Sequence, residues 1–447
     1  MSARYLAYKI LFDIEVNGNY SNMALNKYLN EAGLDDQDKG FVTELVYGIL
    51  EKKRYLDYMI NKVSKIKVRK MQHPVKLVLR MGVYQLVYMD GVADYAAINE
   101  SVNIMKKLDK RSASFVNAVL RNISRNLDEV KDISLNTVDK LAIYYSYENW
   151  IVENLVKEYG FERTEAILRA LSQKPNIYLR VNRTKLRPGQ SMDYLVGQII
   201  GRLIDQGLEA SRVKGLEEAI KVKGLKSIDK HPLFREGYVS VQDISSILVA
   251  KVMDPKRESR VLDLCAAPGG KSTHIGELMK NTGHLISQDI FDHKIKLMNT
   301  YARRLGLNNM EARLGDALVL NDDYIGKFDY VLCDVPCSGM GIVRRKPEIK
   351  YKKEEEVENL PDLQYQILEN ASSYLKEGGI LIYSTCTIFK QENTDVVDRF
   401  LNNHKDFDLD DLGPIKEFLG IGDKGLVKIL PDWYEMDGFF ICRMKKI

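Results

Sequence analysis

Two short segments carry the residues best suited to covalent chemistry: Asp334-Val335-Pro336-Cys337-Ser338-Gly339 and Tyr383-Ser384-Thr385-Cys386-Thr387. Both follow a strand-loop stretch, Val261-Leu262-Asp263-Leu264, which runs into Cys265-Ala266-Ala267-Pro268-Gly269-Gly270-Lys271. A thiolate adds readily to an electrophilic carbon, which divides one hard bond change into two easier ones. The loop 265–271 is of the cofactor-cradling kind. Ala266 and Ala267 are small, Pro268 fixes the chain, and Gly269-Gly270 permits close backbone approach. The helix that follows offers unpaired N–H groups. Gly270-Lys271-Ser272 matches the end of a phosphate-binding P-loop, but that motif requires glycine at position 265, where Cys265 stands. The P-loop reading fails at that residue.

Asp289 lies about 20 residues beyond the glycines, where a carboxylate accepts hydrogen bonds from ribose hydroxyls. Asp316, in Leu314-Gly315-Asp316-Ala317, is placed to reach an adenine amino group. A helix N-cap is the ordinary fate of a lone loop aspartate. Two of them in register with a glycine loop point to a nucleoside cofactor. So acidic a rim suits one carrying positive charge, and the sulfonium of S-adenosylmethionine meets that requirement. Carbon 5 of a cytosine is a poor nucleophile towards such a methyl donor. Addition of a thiolate at C6 makes C5 enamine-like and able to attack the methyl group. A second group must then take the C5 proton, and a carboxylate can hold the N3/N4 edge of the base. Asp334, Cys337 and Cys386 supply these groups. An inert half-buried thiol is the alternative for any one loop cysteine, and the residues alone leave open which of the two attacks.

These groups need elements to hold them. The chain has 447 residues, enough for several domains of roughly 100–200 residues each. Hydrophobic residues at 45% and charged residues at 29% describe a globular composition. The net charge of +4 says little, but its distribution says more. Residues 51–125 hold 16 Lys/Arg against 6 Asp/Glu, while residues 1–50 hold 4 against 7. That stripe reads either as a polyanion-binding face or as a set of solvated helix faces. The odd number of cysteines (265, 333, 337, 386 and 442), without regular spacing, implies reduced thiols in a cytoplasmic protein and no metal site. No signal-peptide core and no membrane-length apolar run is present.

Apolar spacing predicts helices through the first ~130 residues, with a central buried one over Val75–Met89. Leu141–Tyr159 reads as one helix containing Trp150, and Asn176–Asn182 as a strand. Arg180, Arg183, Lys185 and Arg187 are either phosphate contacts or a solvated loop. From ~240, short strands (261–264, 285–288, 328–332 and 380–383) alternate with helices (295–305 and 363–375), which implies a mostly parallel sheet with helices on both faces. Ligands in such sheets sit at the carboxyl ends of the strands, where every motif above falls.

The first part resembles the NusB family of RNA-binding helical domains. The matching residues are Arg4-x-x-Ala7-x-x-Ile10-Leu11, Leu45-Val46-Tyr47-Gly48, Ala97-Ile98-Asn99-Glu100-Ser101-Val102 and Phe115–Arg121. Nearly the whole chain resembles the RNA 5-methylcytosine methyltransferases, closely the bacterial RsmB (Sun/Fmu) group. That likeness rests on Cys265–Lys271, Asp334–Gly339, Arg344-Arg345-Lys346-Pro347-Glu348, Ser384–Thr387 and Asp437-Gly438-Phe439-Phe440. It implies an all-α NusB-like domain over 1–130, a small α/β bridging module over 131–240, and a Rossmann-like (class I) methyltransferase domain over 241–447. It further implies that residues 265–271, Asp289, Asp316 and Asp334 hold S-adenosylmethionine, that Cys386 is the nucleophile, and that Cys337 assists product release. The implied substrate is a cytosine of 16S ribosomal RNA, single-stranded or flipped out, since a base inside a duplex cannot be attacked at C6. Arg344, Arg345 and Lys346 would grip its phosphates.

The chain departs from the family at Val335 (usually alanine), at Lys390 before Gln391-Glu392-Asn393 (usually proline), and at Tyr147-Glu148 (usually His-Pro). The alternatives are the same chemistry on transfer RNA, or an RNA-binding assembly factor with a degenerate catalytic domain. The intact Cys386 speaks against the second.

Overall fold

A computed structural model describes residues 2–225, 228–413, 415–420 and 425–447. The chain divides into two compact units. One holds Met1–Ser172 and Val343–Glu354, and the other Gln173–Ile342 and Glu355–Ile447.

The first unit is helical. Ser2 caps the helix Ala3–Asn17 through Tyr5 N–H, and Gly18, with φ of +74°, ends it. The helix His73–Tyr88 is the expected central one: Leu77 to Leu86 are all buried. At its middle Arg80 is 3% exposed and bonds Glu15 at 2.8 Å and Asp57 at 2.7 Å. Arg80 is thus part of the internal frame rather than of a basic surface. Gly48, in the long helix Asp36–Val63, explains the Leu45–Gly48 motif. A Cβ there would lie 2.0 Å from the Tyr84 ring, so only glycine lets the two helices approach this closely.

The expected single helix over Leu141–Tyr159 is instead two, Val138–Tyr145 and Asn149–Tyr159. Ser146 takes a left-handed conformation (φ +61°) and ends the first. Its hydroxyl accepts the Tyr55 N–H at 3.1 Å, and Arg54 donates to Asn149 Oδ1 at 2.8 Å. Tertiary hydrogen bonds thus override a helical pattern. These helices and Phe161–Leu171 pack in the first unit. Val343–Glu354 is anchored there too. Tyr351 donates to Leu50 O at 2.6 Å, and the fully buried Lys350 donates to Tyr145 O at 3.1 Å.

The second unit holds two sheets. β1 (Ile177–Val181), β2 (Glu209–Val213), β3 (Leu216–Lys223) and β4 (Val239–Val241) form an antiparallel sheet in the order β2-β3-β1-β4. The larger sheet contains β5 (Arg260–Asp263), β6 (His284–Asp289), β7 (Met310–Leu314), β8 (Phe328–Asp334), β9 (Leu375–Thr385), β10 (Phe407–Leu409), β11 (Leu426–Ile429) and β12 (Phe439–Lys446). Its order is β10-β12-β9-β8-β5-β6-β7, with β11 beside β12. Strands β5 to β9 are mutually parallel, and β12 is antiparallel to β9, β10 and β11.

Alternate residues of the parallel strands face opposite sides, as the two-residue period demands. Val261, Leu285, Leu332 and Ile382 pack with the helices Ile244–Met253 and Gly270–Leu278. Leu262, Ile286, Val331 and Leu381 pack with Leu360–Tyr374 and Thr394–Asn403. Both faces are therefore covered, as the expected Rossmann-like layering requires. No helix of the described residues is long and apolar enough to cross a membrane.

Candidate active site

The carboxyl ends of the parallel strands bring the sequence motifs to one edge. After β5 the chain turns through Leu264–Gly269 into the helix Gly270–Leu278. Gly269, at the N-cap, has φ of +102°, a conformation that L side chains rarely adopt. Ala266 N–H bonds Gln288 O and Gly269 N–H bonds Ala266 O, each at 2.8 Å, so β6 and the turn itself fix the loop. Beneath it, Ser272 donates to Asp263 at 2.6 Å, and burial raises the Asp263 carboxyl to about 7. Burial likewise pushes the Cys265 thiol up.

Asp289 ends β6 and is 7% exposed. Its Oδ1 accepts Phe291 N–H at 3.1 Å and lies 3.4 Å from Lys294 Nζ. Asp316 follows β7, and its Oδ1 accepts Leu318 N–H at 2.9 Å. Both thus make the local turn contacts weighed as their alternative role, while standing on the same edge as the glycine loop. Around them Ile290, Phe291, Leu314 and Leu318 are exposed, and Gln288, Gly315 and Asp316 line a surface cavity. The carboxylates and exposed apolar side chains fit a nucleoside with a cationic substituent, and the helix N-terminus fits an anionic group on the same ligand.

Asp334 ends β8 opposite Ser384 of β9, and Ser384 Oγ donates to its Oδ1 at 2.8 Å. Lys271 Nζ reaches Asp334 Oδ2 at 2.6 Å and lies 5.2 Å from the centre of the Phe439 ring. The last residue of the glycine loop therefore points its charge at the cysteine motifs. Burial alone would lower the Lys271 pKa, but Asp334 more than offsets it and the ammonium form is favoured. Cys337 Sγ lies 3.2 Å from Cys386 Sγ, with no disulfide between them. The Cys337 thiol is held well above its ordinary range by that contact, by burial and by the nearby Glu392 charge. One thiol held neutral beside another, with an ammonium and a carboxylate alongside, can support addition of a thiolate to an electron-poor ring and a later proton transfer.

Gly341 joins the two loops. Its N–H bonds Cys386 O and its carbonyl accepts Gly438 N–H, each at 2.9 Å. The Asp437–Phe440 motif is thereby the third wall of the cysteine site.

Other candidates are redistributed. Arg180 is 1% exposed and meets Gly270 O and Glu277, each at 2.8 Å, and Thr273 at 3.2 Å. Arg183 pairs with Glu217 and Glu218. Neither is a phosphate contact; Arg180 is a pillar under the glycine loop. Lys185 and Arg187 do line a concave pocket, with Arg202, Tyr194 and Tyr238. Lys185 and Arg202 sit 5.3 and 5.8 Å from the centre of the Tyr238 ring. Arg344 and Arg345 are half-buried in the first unit, and Lys346 is exposed. Gln364, Glu392 and Asn393, all buried against the cysteine loops, were missed by the sequence reading. The available signal was a polar Gln391-Glu392-Asn393 run directly after the second cysteine motif.

Residues 250–445 match the family described as 16S rRNA methyltransferase RsmB/F, residues 1–125 the NusB family, and residues 147–229 the RsmF/B-like ferredoxin-like domain. A Bacillus subtilis (strain 168) protein named "Probable ribosomal RNA small subunit methyltransferase B" is 40% identical over 100% of this chain and 99% of its own length. The "Ribosomal RNA small subunit methyltransferase B" of Shewanella oneidensis is 32% identical over 100% of this chain and 99% of its own length. The crystal structure of PH0851 superposes with a TM-score of 0.80 at 25% identity, covering 100% of this chain and 98% of that one. The paired thiols at the strand ends and the full-length likeness agree: the chain belongs to the RsmB group of the RsmB/F methyltransferase family.

Proposed function

We propose that the protein methylates C5 of a cytosine in 16S ribosomal RNA, in the cytoplasm, with S-adenosylmethionine as donor. The observation that carries this reading is the 3.2 Å approach of Cys337 and Cys386 beside the Lys271–Asp334 pair. Residues 265–271, Asp289, Asp316 and Asp334 hold the donor, which when bound supplies an electrophilic methyl group on a sulfonium. Cys386 is the nucleophile and bonds C6 of the target base. Asp334 orients the N3/N4 edge, and Lys271 stabilises negative charge beside the thiols. Cys337 serves as the base in release: once Cys386 is bonded to C6, the Cys337 thiol gives its own proton to solvent and its thiolate takes the C5 proton, the C6–S bond breaks, and the C5–C6 double bond returns as Cys386 departs as thiolate. The target is unstacked or single-stranded, because neither face of a stacked base admits the thiol.

The test is methylation of purified 16S ribosomal RNA and of transfer RNA, with the product mapped by bisulfite sequencing. The expected product is one 5-methylcytosine in the 16S RNA, absent from that RNA in a strain lacking the protein. Label in transfer RNA, or on another atom, would contradict the reading.

RNA binding is proposed for residues 1–130, with 131–240 as the bridging module and 241–447 as the catalytic domain. Lys67, Arg69 and Lys76 line a concavity in the helical unit. In the module, among the described residues, Lys185, Arg187 and Arg202 have no carboxylate partner. Cations around an aromatic ring suit the phosphates and bases of a single strand. The Lys185→Ala/Arg187→Ala double variant should bind RNA more weakly at every salt concentration. The slope of log K against log salt should flatten by about 1.4 for two lost contacts to a single strand, with donor affinity unchanged. Filter binding across a salt series measures it, and an unchanged slope removes this pocket from the RNA path.

A further inference from the structure

The residues on either side of both cysteines are held by one buried polar cluster. Glu392 is 2% exposed. One carboxylate oxygen accepts Ser338 N–H at 2.8 Å and Gln364 Nε2 at 3.0 Å, and the other accepts the Ser338 hydroxyl. Gln364 Nε2 also donates to Pro336 O at 3.0 Å. Pro336 and Ser338 are the neighbours of Cys337. Asn393, fully buried, accepts the Thr385 hydroxyl at 2.6 Å and donates to Thr387 O at 3.1 Å. Thr385 and Thr387 are the neighbours of Cys386. Ser338 Oγ and Thr387 Oγ1, 2.8 Å apart, close the ring between the loops. Tyr383 donates to Glu392 O at 2.6 Å and fixes the clasp to β9.

A buried carboxylate is costly unless hydrogen-bonded, and here donors alone surround it: among the described residues no Lys, Arg or His pairs with Glu392. Replacing it by an apolar side chain would leave the buried Ser338 N–H without its acceptor, so the group is tied to this loop. The carboxylate imposes direction. It requires three donors at fixed places, and two of them belong to the residue after Cys337.

We propose that Glu392 and Asn393 are positioning residues that lock the backbone around both cysteines and hold the two sulfurs in register for the release step. This rests on the division of roles given under Proposed function. In that step the C5 proton passes to the Cys337 thiolate and the C6–S bond to Cys386 breaks. Cys337 assists only if its loop cannot drift from Cys386. A shift of about 1 Å in a reacting group costs on the order of 10²-fold in rate.

Glu392→Gln keeps the shape but replaces a two-oxygen acceptor with one oxygen and an NH2 that faces donors. The variant should bind donor and RNA within about two-fold of wild type and complete a single methyl transfer. Its kcat should fall at least tenfold at unchanged KM, with an RNA–protein adduct that survives denaturation. Ser338→Ala, which removes one hydroxyl and keeps the Ser338 N–H bond to Glu392, should shift kcat and adduct in the same direction by a smaller factor. Wild-type kcat in both variants overturns the proposal, and so does a loss of donor binding together with melting temperature, which marks a merely structural cluster. Cys337→Ala is run in parallel. If it gives no adduct, the division of roles fails, and the clasp is judged on kcat against KM alone: a tenfold fall in kcat keeps it, and an unchanged kcat overturns it.

Discussion

Cys386→Ala should abolish methyl transfer while leaving the methyl donor bound. In the proposed mechanism C5 of the cytosine becomes nucleophilic enough to attack the methyl group only after addition at C6, and this variant lacks the thiol that adds. The loss expected for removing a covalent nucleophile is on the order of 10⁴–10⁶ in kcat. Donor affinity should stay within about two-fold, because the glycine loop is fixed by Gln288, Ala266 and Arg180 rather than by the thiol. Transfer of labelled methyl to RNA and calorimetric titration of the donor measure the two quantities. Retained turnover would remove Cys386 from the nucleophile role.

Gly341→Ala should cost nearly as much without touching a reacting atom. A Cβ at this position would fall 1.9 Å from Gly438 O, 2.5 Å from Gly438 C and 2.9 Å from Cys386 O. These are backbone atoms and cannot swing aside as a side-chain tip does. The strand entry at Gly438 or the Cys386 loop must move by about 1 Å, and the reacting geometry goes with it. The expected fall in kcat is on the order of 10²-fold or more, with a stability loss of about 1–3 kcal/mol from overpacking. Donor binding should survive. Kinetics and a thermal melt test it, and wild-type turnover in this variant would show that the loop contact does not govern the sulfur positions.

How far the sequence reading reached follows from the physics of each element. Strands β5, β6, β8 and β9 are buried on both faces, so they are legible as short apolar runs. β7, with the sequence MEARL, and β2, EASRV, lie largely at the surface and lack that signal. β12 is written in the Asp437–Phe440 motif, but its pairing with β9 rests on long-range contacts that no local pattern encodes. The break at Ser146 is likewise tertiary, made by Tyr55 and Arg54. The placement of the proposed site residues at strand ends was legible because each motif directly follows a short apolar strand run in the sequence. The role of Arg180 was not, because its partner Glu277 lies far along the chain on the helix Gly270–Leu278. Arg344 and Arg345 read as surface cations because charge is normally solvated, whereas they sit half-buried with a segment anchored in the helical unit. Glu392 escaped notice because a buried carboxylate satisfied by hydroxyl, amide and backbone donors leaves no pairing pattern to find.

The central claim, an unequal division of labour between two touching thiols, is tested most directly by adduct formation with target RNA on a denaturing gel in the presence of the methyl donor. Cys337→Ala should give a slow-migrating protein–RNA band, since addition proceeds and release fails, and the Cys337→Ala/Cys386→Ala double variant should give none. A band from Cys386→Ala, and none from Cys337→Ala, would contradict the account by reversing the two roles.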